Sequence, residues 1–136
     1  MDNKTLKLIA EKLIGLAKLK IQLSQGTLIK PQAAIVYSSG EVDLRLIDVA
    51  KGLSEYAKVT GVARSRNAAY VILISNVVFR LPLGALLVEV INPNNLVEMS
   101  FTTDYNKKGN SFIFQRSIWN ERENKEGVLL PWAVTV

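Results

Sequence analysis

Histidine and cysteine are both absent from the 136 residues of this chain. Histidine is the only side chain whose unperturbed pKa lies near neutral pH, and cysteine is the source of protein thiolates. Their absence excludes a Ser-His-Asp triad, a Cys-His pair, a zinc site built on these ligands and a thiol redox centre. Carboxylate chemistry, lysine chemistry and function by binding alone remain open.

Proline and aromatic residues are also scarce, with 4 prolines and 7% aromatics against 49% hydrophobic residues. This composition is typical of a globular chain, and the length predicts a single domain spanning residues 1–136. The net charge of +5 favours anionic partners. Asp2 and Glu11 interrupt the positions where a signal peptide needs cationic and unbroken apolar segments. We therefore expect a cytoplasmic, intracellular protein.

The first strong pattern is a helix over residues 4–23, with Asp2 or Asn3 as its cap and Gly26 as its stop. Apolar side chains cover well over half of its circumference, whereas an ordinary surface helix has an apolar stripe only somewhat over about 100° wide. The pattern predicts that the chain's own small body leaves part of this helix uncovered and that another chain covers it. The candidate contact residues on it are Leu8, Ile14 and Ile21.

The remaining pattern predicts strands over residues 33–37 and 41–47, a helix over 48–59, and strands over 68–79, 85–91, 96–102 and 111–119. In the second strand Val42, Leu44 and Leu46 alternate with charged residues and are expected to point inward. Polar loops are expected over 104–110 and 120–127. The fold class is α+β: an N-terminal helix, a β-hairpin, a second helix, and an antiparallel meander of three to four strands. The helices are expected mostly on one face of the sheet.

Residues 68–91 form the most apolar window of the chain. A window of this kind could form either a membrane-spanning segment or two strands. Asn76, Arg80, Pro82, Gly84 and Glu89 all fall inside the would-be span. The Pro-x-Gly break and the β-branched content favour two strands joined by a turn, without membrane insertion.

Two glutamates suggest a carboxylate site. If Val90 lies opposite Val97 across the next turn, Glu89 lies directly opposite Glu98, an arrangement that needs a compensating cation or a raised pKa. Neighbouring strands would add Asn76 and Gln115, giving oxygen ligands for a hard metal ion or groups for acid-base work. The alternative is a solvated sheet face on which the glutamates meet lysine or arginine from a loop. No cofactor is predicted.

Two basic loops suggest a nucleic-acid interface. Arg64 and Arg66 lie in one loop, and Lys107 and Lys108 lie in another. If both loops lie at the same end of the sheet, the four side chains could clamp phosphates. The alternative is ordinary solubilising charge.

The final segment, residues 128–136, is apolar and contains Leu130 and Trp132. It either completes the chain's own core or docks on a neighbouring subunit, where tryptophan is a favoured anchor. The leading hypothesis is a non-enzymatic interaction or assembly protein that binds itself, as a homo-oligomer with a dimer favoured, or another protein. Self-association would use the N-terminal helix and this tail. The alternatives are a nucleic-acid-binding accessory protein and a metal-dependent carboxylate enzyme centred on Glu89 and Glu98.

Overall fold

A computed structural model of the chain describes residues 2–24, 30–80, 83–115 and 119–133, without the side chains of residues 77–80, 122 and 124. The helices and strands of this part are α1 (Asn3–Leu23), β1 (Gln32–Val36), β2 (Val42–Leu46), α2 (Leu53–Ser65), β3 (Tyr70–Arg80), β4 (Leu83–Ile91), β5 (Leu96–Lys108), β6 (Ser111–Phe114) and β7 (Trp119–Glu126). A 3-10 turn, Val49–Lys51, precedes α2. The α+β class and the element order are therefore confirmed.

Helix α1 begins where the sequence places it. The Asp2 carboxylate accepts a hydrogen bond from the Thr5 backbone N–H at 2.8 Å, and this bond lowers the pKa of Asp2. At the other end the Ser24 N–H donates to the Lys20 carbonyl. The stop expected at Gly26 lies outside the described residues.

The strands form one antiparallel sheet in the order β2-β1-β3-β4-β5-β6, and β7 also pairs with β5. The long strand β5 thus pairs on its outer side with β7 near its start and with β6 near its end. Most of residues 104–110 and 120–127, expected as loops, belong to β5 and β7. That expectation is wrong because ladder hydrogen bonds come from the backbone and need no apolar side chain.

The two helices lie on opposite faces of the sheet. Ala34 and Val36 of β1 belong to the buried cluster under α1, whereas the alternate residues Ala33 and Ile35 belong to the cluster under α2. We refer to these faces as the α1 side and the α2 side. The expectation that the helices lie mostly on one face is wrong, because every residue of β1 is buried and such a strand needs cover on both sides.

Helix α2 begins later than expected. Asp48 caps the 3-10 turn by accepting from the Ala50 N–H, and Gly52 follows with a φ of +67°, a conformation that favours glycine. Val59 and Ala63 of α2 are buried, whereas Leu53 at its start is 76% exposed.

The apolar window forms β3 and β4, which pair along most of their length. Two strands are therefore confirmed there. Among the described residues, no helix has the length and apolar content needed to cross a membrane.

Candidate interaction surfaces

The outward side of α1 carries apolar side chains that the sheet does not cover. Four leucines recur along it, and we call them the α1 outer stripe: Leu8 (52% exposed), Leu16 (51%), Leu19 (54%) and Leu23 (74%). The expectation that the chain leaves part of this helix uncovered is confirmed. Of the candidate contact residues, Leu8 is at the surface, but Ile14 and Ile21 are buried in the chain's own core at 4% and 0% exposure. Those two side chains cannot touch a partner in this fold.

The C-terminal tail divides between core and surface. Trp132 is 1% exposed, and its indole Nε1–H donates to the Ala68 carbonyl at 3.0 Å. Its backbone N–H donates to the Pro93 carbonyl at 2.8 Å. Leu130, by contrast, is 67% exposed and lines a cleft of about 190 Å³ with Leu53 and neighbouring residues of α2. Trp132 therefore completes the core on the α2 side, and Leu130 remains at the surface; residues 134–136 lie outside the described residues.

Strand β2 carries a second exposed apolar row, which we call the β2 edge row: Val42 (39% exposed), Leu44 (42%) and Leu46 (58%). Leu44 lies opposite Ala34, so the row is on the α1 side. These residues were expected inward. Because β2 is the outermost strand of its sheet, little covers them, and the expectation of burial is wrong. The alternation of apolar and charged residues does not indicate whether a strand is at the edge of a sheet.

The structure does not bring Glu89 and Glu98 together. Val90 pairs with Met99 rather than Val97, and Glu89 lies opposite Ser100. An irregularity between Val90 and Ile91 leaves Glu98 without a directly opposed residue. The predicted carboxylate pair is therefore wrong.

Each glutamate has its own partners. Glu98 accepts a hydrogen bond from the Asn92 side-chain amide at 3.2 Å and another from the Tyr70 hydroxyl. Burial, reinforced by the charge of Glu98, raises the pKa of Tyr70. Tyr70 packs against the cluster on the α1 side, whereas Glu89 lies opposite Leu73 of the α2 side. The two carboxylates thus face opposite sides of the sheet.

Glu89 belongs to an ion-pair network that the sequence analysis missed. The Lys125 ammonium lies 3.4 Å from a carboxylate oxygen of Glu89 and 3.4 Å from one of Glu123, and Ser100 donates to Glu123 at 2.8 Å. Although burial lowers the pKa of Lys125, these two carboxylates outweigh it and raise the value. This arrangement matches the alternative in which a basic side chain balances the glutamate. Recognising a strand in residues 119–126 would have placed Glu123 and Lys125 on one face.

Asn76 and Gln115 do not complete a site around Glu89. The Asn76 side-chain oxygen accepts from the Tyr105 hydroxyl at 2.6 Å on the α1 side. Gln115 lies across from Asp104, six residues and roughly 20 Å along β5 from Glu98, and lines a separate cleft of about 350 Å³. Among the described residues, no group of three or more acidic side chains is placed to hold a metal ion.

The basic residues fall into two distant groups. Arg64 lies in the last turn of α2 and donates to the Pro131 carbonyl at 3.1 Å, and Arg66 is the C-cap residue. Both precede β3, and the start of β3 lies at the same end of the sheet as the start of β5. Lys107 and Lys108 lie at the other end of β5, a strand of 13 residues that spans roughly 40 Å. The condition for a joint phosphate clamp is not met.

Comparison with known proteins gives no further guide. No family model matches the chain, and neither the curated proteins nor the solved structures include a match to it. The features that remain to indicate a function are the exposed apolar surfaces, two of them on the α1 side, and the charges around them.

Proposed function

We propose that this protein is a non-enzymatic interaction protein that self-associates through apolar surface on the α1 side of its sheet. The observation that carries the proposal is the α1 outer stripe, four leucines on one helix that are each at least half exposed. Several exposed apolar side chains on one helix face are typical of contact sites, although exposed Lys12 lies between Leu8 and Leu16 on this face.

The β2 edge row lies on the same side of the sheet as α1. One partner could therefore cover both the helix stripe and the strand row. The charges near the glutamates support binding over catalysis as well, because Lys125 forms an ion pair with Glu89 and Glu98 faces the other side of the sheet.

Burial of the stripe supplies a usable driving force. Fully burying a leucine is worth about 1.5–3 kcal/mol, so covering the exposed half of each side chain contributes on the order of 1 kcal/mol. Association costs several kcal/mol in lost freedom, so four such leucines alone give weak binding. We therefore expect weak, reversible association, to which other surfaces also contribute.

Sedimentation velocity over a range of protein concentrations tests the proposal. The wild type should change from the mass of one chain toward a larger, defined mass as concentration rises. The double variant Leu16→Gln/Leu19→Gln should weaken this change, because it replaces exposed apolar groups without altering the core. Leu53→Gln is the matched control, since Leu53 is 76% exposed but lies on α2.

A single-chain mass at every concentration would show that the protein does not self-associate. Equal association of the wild type and the double variant would show that the stripe is not the contact. The cytoplasmic location expected from the sequence also stays a proposal, and fractionation of cells that produce the tagged protein would test it.

A further inference from the structure

We propose that the second copy docks on strand β2, so that two β2 strands pair antiparallel about a two-fold axis through Leu44 and join the two sheets into one. This inference rests on the proposed self-association and adds to it a contact at the edge of the sheet. It starts from the position of β2 as the outermost strand of its sheet, where a strand presents unpaired backbone groups.

The direction of the backbone groups follows from the β1–β2 ladder. The Ile47 N–H donates to the Pro31 carbonyl, and the Tyr37 N–H donates to the Glu41 carbonyl. In an antiparallel ladder every second residue bonds to the partner strand. The odd-numbered residues of β2 therefore face β1, and the N–H and C=O groups of Val42, Leu44 and Leu46 point toward the free edge.

These three residues also carry the β2 edge row. In a two-fold pair centred on Leu44, each Leu44 lies opposite the other, and each Val42 lies opposite a Leu46. All three pairs are hydrogen-bonded pairs that exchange two bonds each, and all three bring apolar side chains together on the α1 side. Pairing by strand addition would thus satisfy the backbone and cover the row at once.

The opposite side of β2 fixes the register. Asp43 and Arg45 point to the α2 side and form an ion pair within the strand, at 3.1 Å between carboxylate oxygen and guanidinium nitrogen. In the pairing centred on Leu44, each Asp43 lies directly opposite an Arg45 of the other copy. A slip of two positions in one direction would set Asp43 against Asp43, and in the other direction Arg45 against Arg45. Like charges opposite each other are destabilising, so the two charged residues of β2 favour the register centred on Leu44.

Charge reversal tests the register. Asp43→Arg and Arg45→Asp should each raise the dissociation constant of the self-associated form by about tenfold or more, because two like-charge pairs then face each other. The double variant Asp43→Arg/Arg45→Asp should recover association near the wild-type level, because each pair is again of opposite charge. Glu55→Arg and Lys58→Asp on α2 make the same changes in net charge away from β2 and should leave the dissociation constant unchanged.

Disulfide trapping tests the two-fold axis directly, and the chain contains no cysteine that would interfere. Residues opposite each other in a hydrogen-bonded pair have Cα atoms about 5.5 Å apart, within disulfide range. Leu44→Cys should therefore form a covalent dimer on mild oxidation, and the more exposed Leu53→Cys should not. Circular dichroism confirms that each variant is folded.

The outcomes separate the two proposals. A wild type that self-associates, with β2 charge variants that change nothing and no trapping at Leu44, overturns docking through β2 and leaves self-association standing. A wild type that stays a single chain at all concentrations, with no trapping at Leu44, overturns both. Weakening by each single reversal, recovery in the double variant and selective trapping at Leu44 together support the β2 pairing.

Discussion

Trp132 offers the most direct test of how this chain uses its C-terminal segment. Its side chain is 1% exposed and packs in the cluster under α2, and its indole N–H donates to the Ala68 carbonyl. If this contact belongs to the chain's own core, truncation lowers the stability of each chain separately. If the segment instead acted mainly between subunits, truncation would act on association.

The expected cost can be worked from this geometry. Trp132→Ala removes a fully buried aromatic side chain, and such changes lower the free energy of unfolding by about 3–5 kcal/mol. Trp132→Phe keeps much of the packing but leaves the Ala68 carbonyl without its indole donor, at a cost of about 1–3 kcal/mol. Leu130→Ala is the control two residues away, and because Leu130 is 67% exposed we expect a loss of only about 0.5 kcal/mol or less.

Urea unfolding followed by circular dichroism measures these differences. The loss in Trp132→Ala should be the same at protein concentrations about tenfold apart, because a contact within one chain does not depend on association. The reasoning would be refuted by Trp132→Ala unfolding within about 1 kcal/mol of the wild type. It would be refuted equally by a loss that disappears on dilution.

Three further predictions concern the sheet. A Cβ on Gly84 would overlap the Tyr105 ring, so Gly84→Ala should lower the free energy of unfolding by about 1–3 kcal/mol. Gly15 on α1 has open space around it, so Gly15→Ala should raise the free energy of unfolding by up to about 1 kcal/mol. Urea unfolding of both variants measures these changes. Lys125→Met should cost about 1 kcal/mol at low salt and less at high salt, because Lys125 is half exposed and bridges two carboxylates; adding Glu89→Gln should recover part of the loss in the same assay. Burial raises the pKa of Tyr105, and its hydrogen bond to Asn76 partly offsets this rise. The neutral phenol therefore stabilises the folded chain fully below the unfolded pKa of about 10, and this stabilisation is lost as pH rises toward the higher folded pKa. Urea midpoints at about pH 9 and pH 11 should therefore fall less in Tyr105→Phe than in the wild type.

The local pattern of the chain predicted the helices and most strands because those elements depend on neighbours in sequence. The Asp2 cap and the 3.6-residue periodicity define α1, and the alternation in residues 41–47 defines β2. Strands β5 and β7 extend through polar residues, whose ladders are visible only once the partner strand is known. Composition therefore underestimates strand length wherever a strand is polar.

The candidate carboxylate site failed at a single irregularity. Pairing Val90 with Val97 gave matched apolar residues, but pairing Val90 with Met99 does so equally well. The bulge at Glu98 then separates Glu98 from Glu89 and turns the two side chains to opposite faces. Hydrophobic alternation determines which face of the sheet a residue occupies. It does not distinguish two pairing registers that differ by two residues, because both place the same residues on the same face.

The β2 edge row shows that alternation does not distinguish an interior strand from an edge strand, which decides whether its apolar side chains are core or surface. The sequence of residues 42–46 is the same whether the strand lies inside the sheet, where Leu44 would be core, or at its edge, where Leu44 is surface. The order β2-β1-β3 settles the matter, because β1 is the one strand that pairs with β2 among the residues that the structure describes. Val42, Leu44 and Leu46 are therefore partly exposed, and Asp43 and Arg45 lie symmetrically about Leu44 on the other face, an arrangement that fits the proposed pairing with a second copy.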